Sequence, residues 1–365
     1  MSQLLSELHN TIQKNGPMPI SEYMSLVLGH PDFGYYMSRD PFGSKGDFVT
    51  APEISQVFGE LIGLWVGSIW QQADSPDKVR LVELGPGRGT LISDILRTSR
   101  YISGFIDAIS VHLVETSPYL RRAQEKALSQ YRNSLEISWH PDFDSIPEGR
   151  LLIIANEFFD ALPIEQMVYS KDCWLRRCIG LSSSQDLVLT ECQDSEDIAS
   201  YLPNSIRDRA SCGQVFEICP TAIKLASKIS KRLSQAGIGA LIIDYGHNET
   251  ASGDTLQALY QQKPVGILQH PGDSDLSAHV DFEALARATR SPKIRVSGPL
   301  FQRNFLQDIG IIQRTISLTK GADSRMRKQI TEGSQRLLDP NGMGSLFRVM
   351  AITEMERPIP PGFSH

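Results

Sequence analysis

The sequence predicts an α/β protein: a mainly parallel, doubly wound Rossmann-like sheet, preceded by a helical region and interrupted by an inserted, mainly antiparallel β lobe. Three observations carry this. Short aliphatic runs (VRLVEL, AISVHLVE, LEISWH, RLLIIANEF, GALIIDYG) alternate with helix-like segments such as PYLRRAQEKALSQY and CPTAIKLASKISKRLSQA, the pattern of strands covered on both faces by crossover helices. The first run enters a Gly-rich loop and then a helix, VRLVELGPGRGTLISDILR. Between the fourth and fifth runs the alternation breaks at MVYS, CWLRRCIGL and DLVLTECQ, which read as hairpin strands.

Residues 2–15 have the spacing of an amphipathic helix, and Ser21 is a candidate N-cap for a second helix with Met24, Leu26, Val27 and Leu28 on its apolar side, ended by Gly29. HPDFGYYMSRDPFGSKGDFVTAPEIS is dense in Gly, Pro, Asp and aromatics and predicts an ordered loop. From Glu53 to Trp70 the apolar residues recur at helical spacing, predicting one buried helix against the sheet. After the lobe and the fifth run, the pattern predicts a helix after Asp281, a strand near IRVSG, a helix from Asp323 to Leu338 and a closing strand, LFRVMAITE. The expected units are 1–75 (helices and a site loop), 76–163 (first part of the core), 164–215 (the lobe) and 216–365 (the rest of the core with additions).

Composition narrows the function. At 41% hydrophobic and 21% charged residues, the 365-residue chain suits one large globular domain or two ordinary ones. The net charge of −6 disfavours nucleic-acid binding, which needs a strong positive field, and suits a protein partner better. A homodimer stays open. Five cysteines without a CxxC pair suit reduced thiols rather than a disulfide framework or a zinc site. The first 24 residues contain Glu7, no long apolar run and no Arg, so neither a secretory signal, a membrane span nor a mitochondrial leader is expected, and the bacterial cytoplasm is favoured over the mitochondrial matrix.

The glycine loop carries the first chemistry. Gly85, Gly87 and Gly89 sit at alternate positions between a strand and a helix, where a tight turn and a close-lying ligand exclude side chains. A dinucleotide fingerprint would need glycine where Thr90 stands, and Glu83 beside the loop would repel a diphosphate. Glu83 can instead accept hydrogen bonds from the ammonium of an amino-acid ligand, as in S-adenosyl-L-methionine. Glu115, at the end of the second strand, is the candidate ligand for two ribose hydroxyls. Asp142 and Phe143, after the third, are candidates to meet an adenine by hydrogen bonding and stacking. Taken singly, each of these has a blander reading as turn, surface or core residue, and only the combination is informative.

The fourth strand runs into Asn156-Glu157-Phe158-Phe159-Asp160, at the edge where α/β sheets open their ligand crevice. On a helical turn Glu157 and Asp160, three apart, would share a face and bind one cation together. A guanidinium, held bidentately, could be polarised there for methyl transfer. The competing reading has Asn156 and Asp160 capping a helix over a core formed by Phe158 and Phe159. His247, in the DYGH that ends the fifth strand, is a candidate proton acceptor. DLSAHVDFEAL holds Asp275, His279 and Asp281 without a recognised metal spacing, so no metal is expected.

GYYMSRDPFGSKGDFVTAPEISQVFGELIG, VELGPGRGTL, NEFFDALPIEQ and GDTLQAL with PGDSDLSAHVDF resemble the MidA family, the mitochondrial dysfunction protein A type, over nearly the whole chain. The resemblance implies a class I methyltransferase that uses S-adenosyl-L-methionine to dimethylate, symmetrically, an arginine on a respiratory complex I subunit during assembly. It also places Gly46, Asp47, Pro52 and Glu53 at the mouth of the site. One departure is the segment YQQKPVGILQH, where the family pattern has a histidine and then Asp-Pro-Leu, which puts substrate specificity in doubt. Other readings are a small-molecule methyltransferase, a catalytically silent assembly chaperone and, disfavoured by Thr90 and Glu83, an NAD-dependent oxidoreductase.

Overall fold

The computed structural model describes residues 3–38, 41, 49–193, 196–208 and 210–364. Seven strands form its core sheet: β1 (Val79–Leu84), β2 (Ile109–Val114), β3 (Ile137–His140), β4 (Arg150–Asn156), β5 (Gly239–His247), β6 (Ile294–Phe301) and β7 (Phe347–Glu354). Their order is β6-β7-β5-β4-β1-β2-β3. β1 to β5 pair in parallel, while β7 runs antiparallel to both β5 and β6. The order reverses between β4 and β1, the switch point where such sheets open a crevice at their carboxyl edge.

Two-sided burial explains the unbroken aliphatic runs. In β4, Leu152 and Ile154 face one layer of helices, with Trp65, Ile92 and Leu337 in the same cluster. Leu151, Ile153 and Ala155 face the other, where the helix Pro220–Ala236 supplies Ala226, Ile229 and Leu233. Alternation along a strand thus fills two cores, so no polar residue interrupts the run.

The expected helix from Glu53 to Trp70 is two. A short turn, Ala51–Ile54, ends at Ser55, whose extended backbone (φ −155°) breaks the helix and whose Oγ accepts Val57 N–H to start Gln56–Gln72. Gly59 and Gly63 line the long helix where it crosses the helix Thr90–Ser99, a Cβ there lying 2.5 Å from Asp94 and 3.0 Å from Thr98, and one at Gly67 would lie 2.0 Å from Ile102 just beyond it. Ser21 caps nothing: the second helix starts at Ile20 after Pro19, and the Ser21 hydroxyl bonds Glu165 instead.

The lobe is antiparallel. Cys173–Leu181 pairs with Glu165–Ser170 and Leu187–Cys192, and Val215–Ile218 closes the far edge. Its sheet passes the boundary expected at residue 215 and takes in the N-terminal pair Met18–Pro19, with Met18 opposite Ile179. Leu4, Leu8, Met24, Ile179, Ala258 and Leu276 share one apolar cluster, so the N-terminal helices seat on the lobe and on a small sheet of Gln257–Tyr260, Lys263–Val265 and Asp275–Ser277. The departing segment YQQKPVGILQH forms that hairpin, with Gln261 and Gln262 both left-handed at its tip (φ 51° and 62°) and Tyr260 stacked on His270 at 4.2 Å.

Candidate active site

The carboxyl ends of β1, β2, β4 and β5 meet at a cleft of about 320 Å³. Gly85, Gly87, Glu115, Thr116 and Leu120 form one wall, Glu157, Phe158, Asp160 and Tyr245 another, and Met24, Leu28, Tyr36 and Met37 of the N-terminal region cover it. Gly85 and Gly87 take φ of 64° and 53°, the left-handed region that L side chains rarely adopt. A Cβ at Gly85 would also lie 2.7 Å from Phe158 Cδ2. Turn and neighbour both demand glycine.

Glu115 is buried at the end of β2, where Oε1 accepts Ser117 N–H (2.8 Å) and Oε2 accepts Gln124 Nε2 (3.1 Å). The same Gln124 amide donates to Gly87 O (2.7 Å), locking loop and carboxylate into one unit. Burial raises the Glu115 pKa, and the donors around it oppose the shift. A small side cavity of about 40 Å³ continues from the cleft past Thr50, Glu53, Glu83, Arg88 and Asn156. Within it Glu83 Oε2 and Asn156 Oδ1 are buried without a hydrogen-bond partner among the described residues. Burial pushes the Glu83 carboxyl up to about 8. Two orphaned acceptors on neighbouring strands, beside a glycine turn, fit the ammonium of S-adenosyl-L-methionine, whose N–H groups would satisfy both.

The catalytic-edge carboxylates are brought together differently from the expected helical turn. No helix follows β4. Glu157 is left-handed (φ 51°) and the chain turns through Phe158 to Asp160 without a helix. Asp244 imposes this shape: its fully buried Oδ2 accepts the backbone N–H groups of Phe158, Phe159 and Asp160 (3.1, 2.9 and 3.2 Å) and Oδ1 accepts Tyr245 N–H (2.9 Å). Burial and the Asp160 and Glu157 carboxyls raise its pKa, against four donors that favour the anion. Non-glycine strain held by a dedicated carboxylate is characteristic of functional turns. Glu157 Oε1 accepts Ala51 N–H (2.9 Å) and Asn156 Nδ2 (3.1 Å), and burial pushes its carboxyl up to about 7. Asp160, also raised by burial, to about 6, bonds the Tyr245 hydroxyl.

Three other candidates are not brought to the cleft. Phe143 is core, packed in the cluster with Val82 and Ile153 under the Arg232 guanidinium, and exposed Asp142 caps a turn by accepting Ser145 N–H (2.8 Å). This places the adenine pair outside the cleft walls. His247, two residues beyond Tyr245, lines a separate cavity of about 250 Å³ with His279, Thr250 and Arg287, and its Nδ1 lies 2.7 Å from Glu249 O. Tyr245 takes its expected place, so His247→Ala should retain methyl transfer within about threefold in an initial-rate assay, a surface change in energetic terms. Glu53 lies at the side cavity, accepting Thr90 Oγ1 (2.5 Å) and 3.6 Å from Arg88. Asp47 and Gly46 lie outside the described residues.

Tyr36, Asp244, Tyr245 and Asp275 were not singled out as site residues by sequence. Tyr245 and Asp244 had a signal, in the DYGH at a strand end. Tyr36 and Asp275, 239 residues apart yet hydrogen-bonded (2.7 Å), lie in the motifs GYYMSRDPFG and PGDSDLSAHVDF, where Asp275 was weighed only as a metal ligand and nothing local pairs the two. Among the described residues no cluster of His, Cys, Asp and Glu could hold a metal ion, and no helix is long and apolar enough to cross a membrane.

Residues 61–300 match the family model Methyltransf_28, described as an S-adenosyl-L-methionine-dependent methyltransferase. The chain is 35% identical over 382 residues to the protein arginine methyltransferase NDUFAF7, mitochondrial, of Mus musculus, covering 98% of this chain and 86% of the relative. For the protein of the same name from Homo sapiens the identity is 34%, covering 98% and 85%. A COG1565 superfamily member from Burkholderia thailandensis, solved with S-adenosyl-homocysteine, shares the fold with a TM-score of 0.84 at 24% identity, covering 99% of this chain and 94% of that one. Fold, donor cleft and these likenesses define a class I methyltransferase dependent on S-adenosyl-L-methionine. The chain belongs to the MidA family of that class.

Proposed function

We propose that the methyl acceptor is an arginine of a protein partner, and that a respiratory complex I subunit under assembly, the partner implied by the family resemblance, is the first to test. One observation carries this: Glu157 and Asp160, two partly desolvated carboxyls, line the wall of the cleft that faces the glycine turn at Gly85 and Gly87. The two relatives above are named protein arginine methyltransferases.

In this reading Glu83 and Asn156 hold the donor's amino-acid end and Glu115 its ribose, while Glu53 stands at the mouth. The donor supplies an electrophilic methyl on a sulfonium, which departs as a neutral thioether when the carbon–sulfur bond breaks and a carbon–nitrogen bond forms. Glu157 and Asp160 bind the guanidinium at two nitrogens, concentrating positive charge there and leaving the third the better nucleophile. The methylated nitrogen's proton passes to one of the two carboxylates and then to water. Tyr245, beside Asp160 in the cleft wall, opposes the rise in that carboxyl's pKa.

A pH dependence follows. Both carboxyls are raised, so they bind protons through the range where ordinary carboxyls are already ionised, and a cation needs them ionised. For the acceptor at saturating donor, kcat/KM reports the donor-bound enzyme and should therefore climb as pH rises through about 6 and about 7 and flatten above. A rate flat from pH 5.5 to 8 would exclude their ionisation as a requirement.

The deciding experiment incubates the enzyme with methyl-labelled donor and an extract lacking the endogenous enzyme. Label should enter protein and be recovered as methylarginine after acid hydrolysis. Label confined to metabolites would establish a small-molecule methyltransferase instead.

A further inference from the structure

The geometry points to Tyr36 as a positioning residue that transmits donor binding at Glu115 to the acceptor wall at Asp275 and Asp160. The chain of contacts is continuous. Glu115 Oε1 accepts Ser117 N–H (2.8 Å), Ser117 Oγ donates to Tyr36 O (2.7 Å), and Tyr36 Oη donates to Asp275 Oδ1 (2.7 Å). Ser117 is fully buried and Asp275 2% exposed, so these bonds form away from competing water. Tyr36 therefore has its main chain tied to the donor side and its side chain tied to the opposite wall.

Asp275 belongs to the strand Asp275–Ser277, in which Leu276 pairs with Ala258 of the small sheet, and Ala278 N–H donates to Asp160 O (3.0 Å). Any shift of Asp275 is thereby passed to the turn that carries Glu157 and Asp160. Tyr36 sits on a turn of helix, Tyr35–Ser38, anchored by Tyr35 in the apolar cluster of Leu4 and Met24, and lines the cleft beside Met37. A ligand that grips Glu115 fixes Ser117, Ser117 fixes Tyr36, and Tyr36 holds the acceptor wall in its reactive position. The coupling is reciprocal: donor at Glu115 favours the set wall, and a set wall favours the donor. This role rests on the proposed placement of the acceptor beside Asp160.

The test is hydrogen–deuterium exchange of the full chain with and without saturating S-adenosyl-homocysteine, in wild type, Tyr36→Phe and Ser117→Ala, with saturation of each protein confirmed by titration. In wild type the ligand should slow exchange at residues 83–90 and 115–120 and also, at a distance, at 273–281. Both variants should keep the first effect and lose the second. In turnover, Tyr36→Phe should lower kcat roughly tenfold, the order expected of a slightly misplaced reactant, with the donor KM unchanged. Protection at 273–281 that survives in both variants, or that is absent in wild type, overturns the proposal. So does a Tyr36→Phe enzyme whose only change is a raised donor KM, since that is the mark of a simple lid.

Discussion

Glu157→Gln is expected to lower methyl transfer by roughly 10²–10³-fold, the loss usual when one preorganised electrostatic group is removed from a reacting centre. The amide keeps the shape and can still accept Ala51 N–H and Asn156 Nδ2, the two bonds made by the carboxylate. What disappears is the negative charge that the cation needs. Stability should move the opposite way. Burial raises the Glu157 pKa in the folded state to about 7, so the stabilising protonated form is fully present below the unfolded value and is lost as pH rises through about 7. Above that pH the wild type carries a buried charge that glutamine lacks, and the variant should melt at a higher temperature. An inactive enzyme with a raised Tm and intact S-adenosyl-homocysteine binding would mark Glu157 as a functional residue held at a cost in stability. Full activity would remove it from the mechanism.

Gly85→Val is expected to abolish donor binding and to destabilise the fold. The left-handed backbone at φ 64° costs a side-chain-bearing residue about 1–2 kcal/mol. Displacing Phe158, 2.7 Å from the new Cβ, adds about 1–3 kcal/mol of overpacking. Phe158 lies between Glu157 and Asp160, so the strain reaches both halves of the site. Calorimetric titration with S-adenosyl-homocysteine should detect no binding at concentrations that saturate wild type, and the thermal midpoint should fall by several degrees. Undiminished affinity would mean that the ligand does not lie on this turn.

The core of the fold was legible because its signals are local. The runs that became β1, β2, β4 and β5 put aliphatic residues on both sides of each strand, the glycine loop is contiguous with its strand and helix, and Glu115 directly follows a strand's last residue. The helix break at Ser55 was not, since Thr-Ala-Pro-Glu-Ile-Ser keeps helical apolar spacing while one extended residue interrupts it. The turn at Glu157 was misread for a related reason. A three-residue spacing describes a helix only if the backbone is helical, and Asp244, 84 to 86 residues away, holds the N–H groups of Phe158, Phe159 and Asp160 in a turn that does not continue as a helix. Asp142 and Phe143 occupied an expected place in the order of the chain, but the loop after β3 turns the ring into the core and leaves the carboxylate in water.

The sequence by itself determined the class of fold, the glycine loop and the presence of two acidic residues at the carboxyl edge of the sheet, because these depend on residue type over a few consecutive positions. The tertiary structure alone decided which groups face one another across the cleft: Tyr245 instead of His247, Asp275 from the small sheet, and Tyr36 from a region before the core. Such pairings are set by how separately folded layers dock, and docking depends on the summed shape and burial of whole surfaces, which no short stretch of residues contains.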